Sequence, residues 1–297
     1  MKLIRPDQNL YGYDVNAGVA IMFIVLFSLS GLAHLGQAIY YRIWWLIPTM
    51  VFCALTELLG WAGRYWSSQN YRALTPFLMQ ICCTIMAPSF MAAGMFFILG
   101  MIVNRVGQEY SRLRPKIFSI VFISFDFFSL VVQAIGGGAA SSSFQKGKSA
   151  TKGTNIMVTG IFIQLVAISL AVIVAVEFLI RYLWDKPLRA RTTPEQTLMG
   201  HNEKLMLSGL AIATMWLYIR TIYRTIELLG GWQGAVIHNQ AAFDCLDAMP
   251  VIIALITLSI LSPGRLLSAP KLDRQSIDNE GVPMHHVAMG KSTGDLK

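Results

Sequence analysis

Charge is scarce in this chain. Only 13% of its 297 residues are Asp, Glu, Lys or Arg, 55% are hydrophobic, and the mean hydropathy is +0.53. Soluble domains carry about 25% charged residues, so composition excludes one or two soluble domains of this length. Other absences exclude particular chemistries. No Gly-x-x-x-x-Gly-Lys-Ser/Thr phosphate loop occurs, so ATP hydrolysis through such a site is not expected. Of five histidines only His34 lies clearly inside an apolar run; His201, His238, His285 and His286 fall in loops, near a boundary or in the tail. Zinc catalysis wants several such ligands, so neither a metal centre nor an enzyme is expected, no cofactor is called for, and His34 reads as a packing residue. No Asn-x-Ser/Thr sequon is present. The four cysteines, Cys53, Cys82, Cys83 and Cys245, all sit in apolar runs and read as small packing residues. The net charge of +8 comes without a basic stripe interleaved with aromatics, so nucleic acid is not an expected partner.

What the chain does have is apolar runs long enough to cross a hydrocarbon core, which takes about 20 residues of helix. Seven are found, at 16–41, 44–66, 76–103, 116–140, 155–183, 204–229 and 243–262. The expected fold is all-α, a polytopic seven-transmembrane helix bundle. Residues 1–15 form a short polar amino terminus, 16–262 the membrane domain, and 263–297 a polar tail, with Pro270 and Pro283, expected to be disordered. The first run lacks a short apolar region ending in a small-residue cleavage site and is read as a retained helix. Ser141 to Asn155, rich in Ser, Gly, Lys and Thr, is read as a flexible outer loop.

Of the 24 Lys and Arg, 15 fall after runs one, three and five or in the tail, and 9 fall on the other side. The clusters Arg105, Arg112, Arg114, Lys116 and Arg181, Lys186, Arg189, Arg191 are therefore expected in the cytoplasm, with the amino terminus outside and the carboxyl terminus inside.

Against this apolar background, ionisable residues lie inside the runs, foremost Glu57, Asp126, Arg220, Arg224, Glu227 and Asp247. Charge at bilayer depth costs at least a few kcal/mol per group, so such residues face a bundle interior, pair, and mark a pathway or site. Helical spacing groups them into stripes: Glu57, Gly60, Trp61 and Arg64 in run two, Asp126, Ser129 and Gln133 in run four, and Arg220, Arg224 and Glu227 in run six. Counting about 1.5 Å per residue along each helix, Arg220, Arg224 and Asp247 fall in the outer half and Asp126 nearer the midplane. The expected arrangement is a polar cavity in which carboxylates from runs two, four and seven oppose two arginines from run six. Pro88 and Pro250 cannot donate to the carbonyls of Thr84 and Leu246, and such kinks shape a cavity or a hinge. A purely structural reading stands beside the functional one: the charges form a closed ion-pair network that fixes helix order. For Arg224 with Glu227, and for Glu177 with Arg181, the i+3 and i+4 spacings fit simple on-helix pairs.

Four segments in order carry a family resemblance: Glu57-Leu-Leu-Gly-Trp-Ala-Gly-Arg64, Ala87-Pro-Ser-Phe-Met-Ala-Ala93, Phe125-Asp-Phe-Phe-Ser through Gln133 to Gly136-Gly-Gly138, and Arg220-Thr-Ile-Tyr-Arg-Thr-Ile-Glu227 followed by Gly230. With Tyr11-Gly-Tyr13 ahead of them, the chain resembles the fungal lipid-translocating exporters, also called RTA-like or aminocholesterol-resistance proteins, over nearly its whole membrane domain. The resemblance implies a seven-helix plasma-membrane protein with its amino terminus outside. It implies a role in stress or drug resistance through export of amphiphiles such as sphingoid long-chain bases or sterol-like toxic compounds, with porphyrin or haem traffic in one branch. Partners would be membrane lipids and an amphiphilic small molecule, held by Glu57, Arg64, Asp126, Gln133, Arg220, Arg224, Glu227 and Asp247. The chain departs from the family pattern before run seven: Gln240 stands where many members have Glu, and Asp244 where an aromatic is usual, as though a carboxylate had moved one helical turn. A seven-helix receptor or stress sensor signalling through its cytoplasmic loops fits helix count and orientation equally well.

Overall fold

The computed structural model describes Tyr11 and residues 13–70, 73–112, 114–146, 148–188, 199–230 and 239–267. Among the described residues the architecture is all-α, with seven helices long and apolar enough to cross a membrane and no strand. This is an integral membrane protein. The helices are α1 (Ala17–Tyr40), α2 (Phe52–Gln69), α3 (Leu74–Val106), α4 (Pro115–Gln145), α5 (Thr151–Leu183), α6 (His201–Leu229) and a segmented seventh crossing. That crossing runs through α7 (Gln240–Phe243), a wider π-type turn (Asp244–Ala248), α8 (Met249–Ile260) and α9 (Pro263–Leu267).

Local chemistry sets several boundaries. Asn16 caps α1, its Oδ1 accepting from the Gly18 amide at 2.9 Å. Pro48 lies in a π-type turn, Ile47–Val51, that leads into α2, and Pro250 sits at the start of α8 after the second such turn. Both prolines thus lie where the regular hydrogen-bond ladder is already interrupted. Pro88 differs: α3 continues straight through it.

α3 is the centre of the bundle. Of its most apolar stretch 72% is buried, against 28% for α1 and α5, whose outer faces present residues such as Leu29, Leu32, Ile173 and Ile180 outward. In lipid such faces need no cover. α2 packs between α1 and α3, α4 between α3 and α5, and α8 closes the ring against α6 and α1. Phe23, Phe27, Met50, Trp61, Met91, Ile98, Leu255 and Leu258 form the main core, with Phe23 stacked on Trp61 at 4.3 Å. Close helix approach relies on glycine. A Cβ on Gly60 would lie 2.7 Å from Thr84 Cγ2 of α3, as the stripe in α2 foretold, and one on Gly160 would lie 2.6 Å from Gln133 Cγ of α4.

Two sequence expectations are corrected. Ser141–Asn155 is no loop: α4 runs to Gln145 and α5 starts at Thr151, so helix takes up most of it. Its Ala and Ser are compatible with helix, and Gly153 fits tightly against Ala140 of α4, which draws both helix ends together. The expected tail, from residue 263, also starts too early. Pro263–Leu267 is helical and buried against α6 and α3, with Arg105 donating to the Leu267 carbonyl. Residues 1–10 and 268–297, and with them the tail beyond α9, lie outside the described residues.

Candidate functional site

The ionised residues do assemble, but into two separate clusters. The first joins α2, α6 and the π-type turn. Asp247 is its hub: Arg224 grips the carboxylate with two donors, Nε at 2.7 Å from Oδ1 and a terminal nitrogen at 2.8 Å from Oδ2, and Arg220 stands 3.1 Å from Oδ1. Such a bidentate fork is the strongest form of the pair. Arg224 also donates to Glu227 at 2.7 Å and to the Thr84 hydroxyl at 2.6 Å, so the on-helix pair with Glu227 forms as its spacing indicated. The Glu177–Arg181 pair forms too, at 2.7 Å.

Pro88 ties α3 into this cluster. The Thr84 carbonyl, left without its backbone donor by the proline four residues on, accepts from Arg220. An arginine thus satisfies the carbonyl that the proline orphans, and the backbone defect and the charge cluster are one construction.

Arg64 occupies a compartment of its own beside it. Its guanidinium lies over four rings, Tyr11 at 5.5 Å, Tyr13 at 5.7 Å, Trp61 at 5.5 Å and Phe243 at 4.7 Å, donates to the Tyr13 hydroxyl at 2.9 Å, and stands 3.8 Å from Asp244. Cations over ring faces gain about 0.5–2 kcal/mol each, the more so when desolvated. Phe243 serves both compartments, since Arg224 lies over its ring at 5.0 Å. Tyr11 and Tyr13 fold back over the bundle: the Tyr11 phenol hydrogen-bonds Gln80 at 2.6 Å and Ser67 at 3.1 Å, and its ring meets Phe77 edge-on at 4.9 Å. Burial pushes the Tyr11 phenol up to about 12 and Tyr13 upward as well, so both stay neutral.

Glu57 is the anomaly. It is 1% exposed, its nearest cation is Arg220 at 3.9 Å, and no hydrogen-bond donor among the described residues reaches either oxygen. The Nε of Arg220 is likewise without a partner there. Among the described residues this region gathers three guanidiniums, Arg64, Arg220 and Arg224, against four carboxylates, Glu57, Glu227, Asp244 and Asp247.

The second cluster corrects the expectation that carboxylates of runs two, four and seven share one cavity. Asp126, Ser129 and Gln133 of α4 do share a face, but it meets α5 and α3. Ser129 donates to the Gly160 carbonyl at 2.6 Å, Gln133 to Ser129 at 2.8 Å and to Gln164 at 3.2 Å, and Gln164 to Ser89 at 3.1 Å. Asp126 lies against Gln164 and has no ion pair among the described residues. The open polar cavity is corrected as well. Glu57, Arg220, Arg224 and Asp247 are all at most 3% exposed, because opposite charges at low dielectric close onto one another and not onto space. A cavity of about 580 Å³ does exist, but it is apolar and lies between α3, α5 and α6, with Met95, Leu99 and Met215 in its walls.

Sequence reasoning missed Tyr11, Tyr13, Phe243 and Asp244 as members of the site. Only the unusual aromatic-to-acid change at position 244 signalled any of them. Among the described residues no group of three His, Cys, Asp or Glu is placed to hold a metal ion, and the four cysteines are free.

The fold and this site define a seven-helix membrane protein whose core is an ion-pair network tied to a helix with an internal proline. Residues 50–270 match the family model described as RTA1 like protein, and the chain belongs to that family. It is 28% identical to the Sphingoid long-chain base transporter RSB1 of Saccharomyces cerevisiae, over 93% of this chain and 80% of that protein. It is also 25% identical to Protein RTA1, over 93% and 90%, and 26% identical to Protoporphyrin uptake protein 1, over 72% and 67%, both of Saccharomyces cerevisiae. No solved structure matches.

Proposed function

We propose that this protein moves cationic amphiphiles, single-chain amines of the sphingoid-base type foremost and sterol-like toxic compounds with them, across the plasma membrane, and so contributes to stress or drug resistance. The observation that carries this reading is Glu57: a buried carboxylate with no donor on either oxygen, in a cluster with one more carboxylate than guanidinium. An ammonium group supplies the missing positive charge. A neighbouring hydroxyl of an amino alcohol head group supplies an acceptor for the unpartnered Nε of Arg220, whose terminal nitrogen stands 3.9 Å from Glu57. Asp247, Arg224 and Glu227 then act as the scaffold that keeps Arg220 in place, and Arg64 with Tyr11, Tyr13 and Phe243 as the cover over the cluster.

In the orientation that the loop charges favour, with the amino terminus outside, this cluster lies in the outer half of the bilayer. The network is closed, so entry requires the cover or a helix to move. The π-type turn at Asp244–Ala248 with Pro250, and Pro88, are the places where the ladder already yields. The names of the yeast relatives, a long-chain base transporter and a porphyrin uptake protein, agree with an amphiphile as cargo.

The test is transbilayer movement of a fluorescent long-chain base in vesicles holding the purified protein. Movement well above protein-free vesicles, absent for the N-acylated, uncharged analogue, is the expected result. A folded preparation that moves neither compound would sink the reading and leave a seven-helix receptor or stress sensor in its place.

A further inference from the structure

A second feature of the bundle lies away from the charge cluster. A groove of about 540 Å³ runs along the C-terminal turns of α5, and the apolar cavity of about 580 Å³ lies between α3, α5 and α6. Both are lined by Val172, Ile173 and Val176, so they form one continuous trough along α5. Its two ends differ. At one, Arg181, Trp184 and Lys186 line the mouth, with the indole 69% exposed and the Lys186 ammonium 5.2 Å from its ring centre. At the other, the Ser169 and Tyr218 hydroxyls bond each other at 3.1 Å.

From Trp184 to Ser169 is fifteen residues of helix, or about 22 Å at 1.5 Å per residue. One leaflet with its head groups is about 20–22 Å thick. With its aromatic and basic rim at head-group level, a trough of that length reaches to about the midplane, where the hydroxyl pair then lies. Charge at the rim is positive. Glu177 accepts from both Arg181 at 2.7 Å and Arg112 at 2.7 Å, so one carboxylate serves two guanidiniums. Lys186 adds a third cation; Asp185 accepts from Tyr110 at 2.6 Å, and Glu109 comes near through its carbonyl, which accepts from the Leu188 amide at 2.8 Å.

We infer that this trough is a binding site for one anionic phospholipid of that leaflet, its phosphate-bearing head on Arg181 and Lys186 and one acyl chain along α5 in the α3, α5 and α6 cavity. Basic and aromatic side chains at head-group level attract anionic lipid, whereas the cationic amphiphile proposed above would be repelled by this rim. The cavity's size, within the ordinary 300–1,000 Å³ range for ligand sites, suits a chain and not a protein segment. The inference holds whether or not the protein translocates anything.

Photocrosslinking of the full-length protein in nanodiscs tests it, using phosphatidylserine or phosphatidylcholine with a diazirine in the acyl chain. Labelling of the peptides bearing Ile173 and Met215 is expected to be several-fold stronger with phosphatidylserine, and Arg181→Gln with Lys186→Gln is expected to abolish that preference. In a second variant Ala175→Phe fills the cavity and lowers labelling there with both lipids, while the outward face of α1 at Leu29 labels as before. Equal labelling by the two lipids in the parent protein, or labelling no stronger at the trough than at Leu29, would overturn the site and leave ordinary surrounding lipid.

Discussion

The two buried polar clusters are made of different chemistry. The one between α2, α6 and the π-type turn is ionic, with Asp247 held by two arginines and Glu57 left without a donor. The one between α3, α4 and α5 is a ladder of amides and hydroxyls, Ser89, Gln164, Gln133 and Ser129, with a single carboxylate, Asp126, at its side. Both satisfy polar groups that lipid cannot, and in the ladder, among the described residues, the Gln133 Oε1 is left without a donor while the remaining amides and hydroxyls bond one another. The ladder runs against Gly160, where two helices come close enough for a serine to reach a backbone carbonyl, which is how membrane helices are glued. The ionic cluster has one carboxylate more than it has guanidiniums, and both Glu57 and the Arg220 Nε lack a hydrogen-bond partner among the described residues. A bundle that needed only a helix clamp has one in the ladder.

Breaking the hub of the ionic cluster is expected to have the largest effect. Asp247→Asn leaves Arg220 and Arg224 without their shared carboxylate, and removing one partner of a buried ion pair costs about 3–5 kcal/mol. Thermal unfolding in detergent should show a large drop or a loss of folded protein, and an unchanged midpoint would mean the pairs are not what holds the cluster. On the other side, Gly160→Val drives a side chain into Gln133, and such overpacking costs about 1–3 kcal/mol. The loss should appear in the same unfolding experiment while movement of a long-chain base by the surviving folded fraction persists. Tyr13→Phe keeps the ring over Arg64 and deletes its acceptor, at a cost of about 1 kcal/mol. A loosened cover should raise accessibility of the cluster, read as faster amide hydrogen exchange in α7 and the π-type turn that follows it. The smallest effect belongs to Gln133→Leu, since an interhelical hydrogen bond in a membrane is worth about 0.6 kcal/mol on average. It should shift the unfolding midpoint slightly and leave transport intact; a large transport defect would erase the distinction between the clusters.

Much of this molecule was legible in the sequence, for reasons that particular residues make plain. Apolar runs give transmembrane helices because the bilayer imposes both length and internal hydrogen bonding, and the Arg224–Glu227 pair follows from spacing on one helix. The fate of the Thr84 carbonyl was half legible: Pro88 says that it is orphaned, but not that Arg220 takes it. What the sequence does not contain is which helix a stripe faces. Asp126 has the same periodic signature as Glu57, yet α4 packs between α3 and α5, so its stripe meets amides and not arginines. Tyr11 and Tyr13 were invisible for a related reason, since a short segment before the first helix carries no periodicity to say where it docks. The supposed loop at Ser141–Asn155 failed because small polar residues are compatible with a helix whenever a neighbour such as Ala140 packs against Gly153.

The central claim is that Glu57, whose oxygens accept no hydrogen bond, and not Asp126, the buried carboxylate beside the amide ladder, receives the amine. Transbilayer movement of a fluorescent long-chain base should therefore be measured for Glu57→Gln and Asp126→Asn, side by side with the parent protein in vesicles of one composition. Each substitution is near-isosteric and spares the Asp247 hub. The account predicts that Glu57→Gln loses most of the movement and Asp126→Asn keeps most of it; the reverse pattern, or equal loss from both, would contradict it.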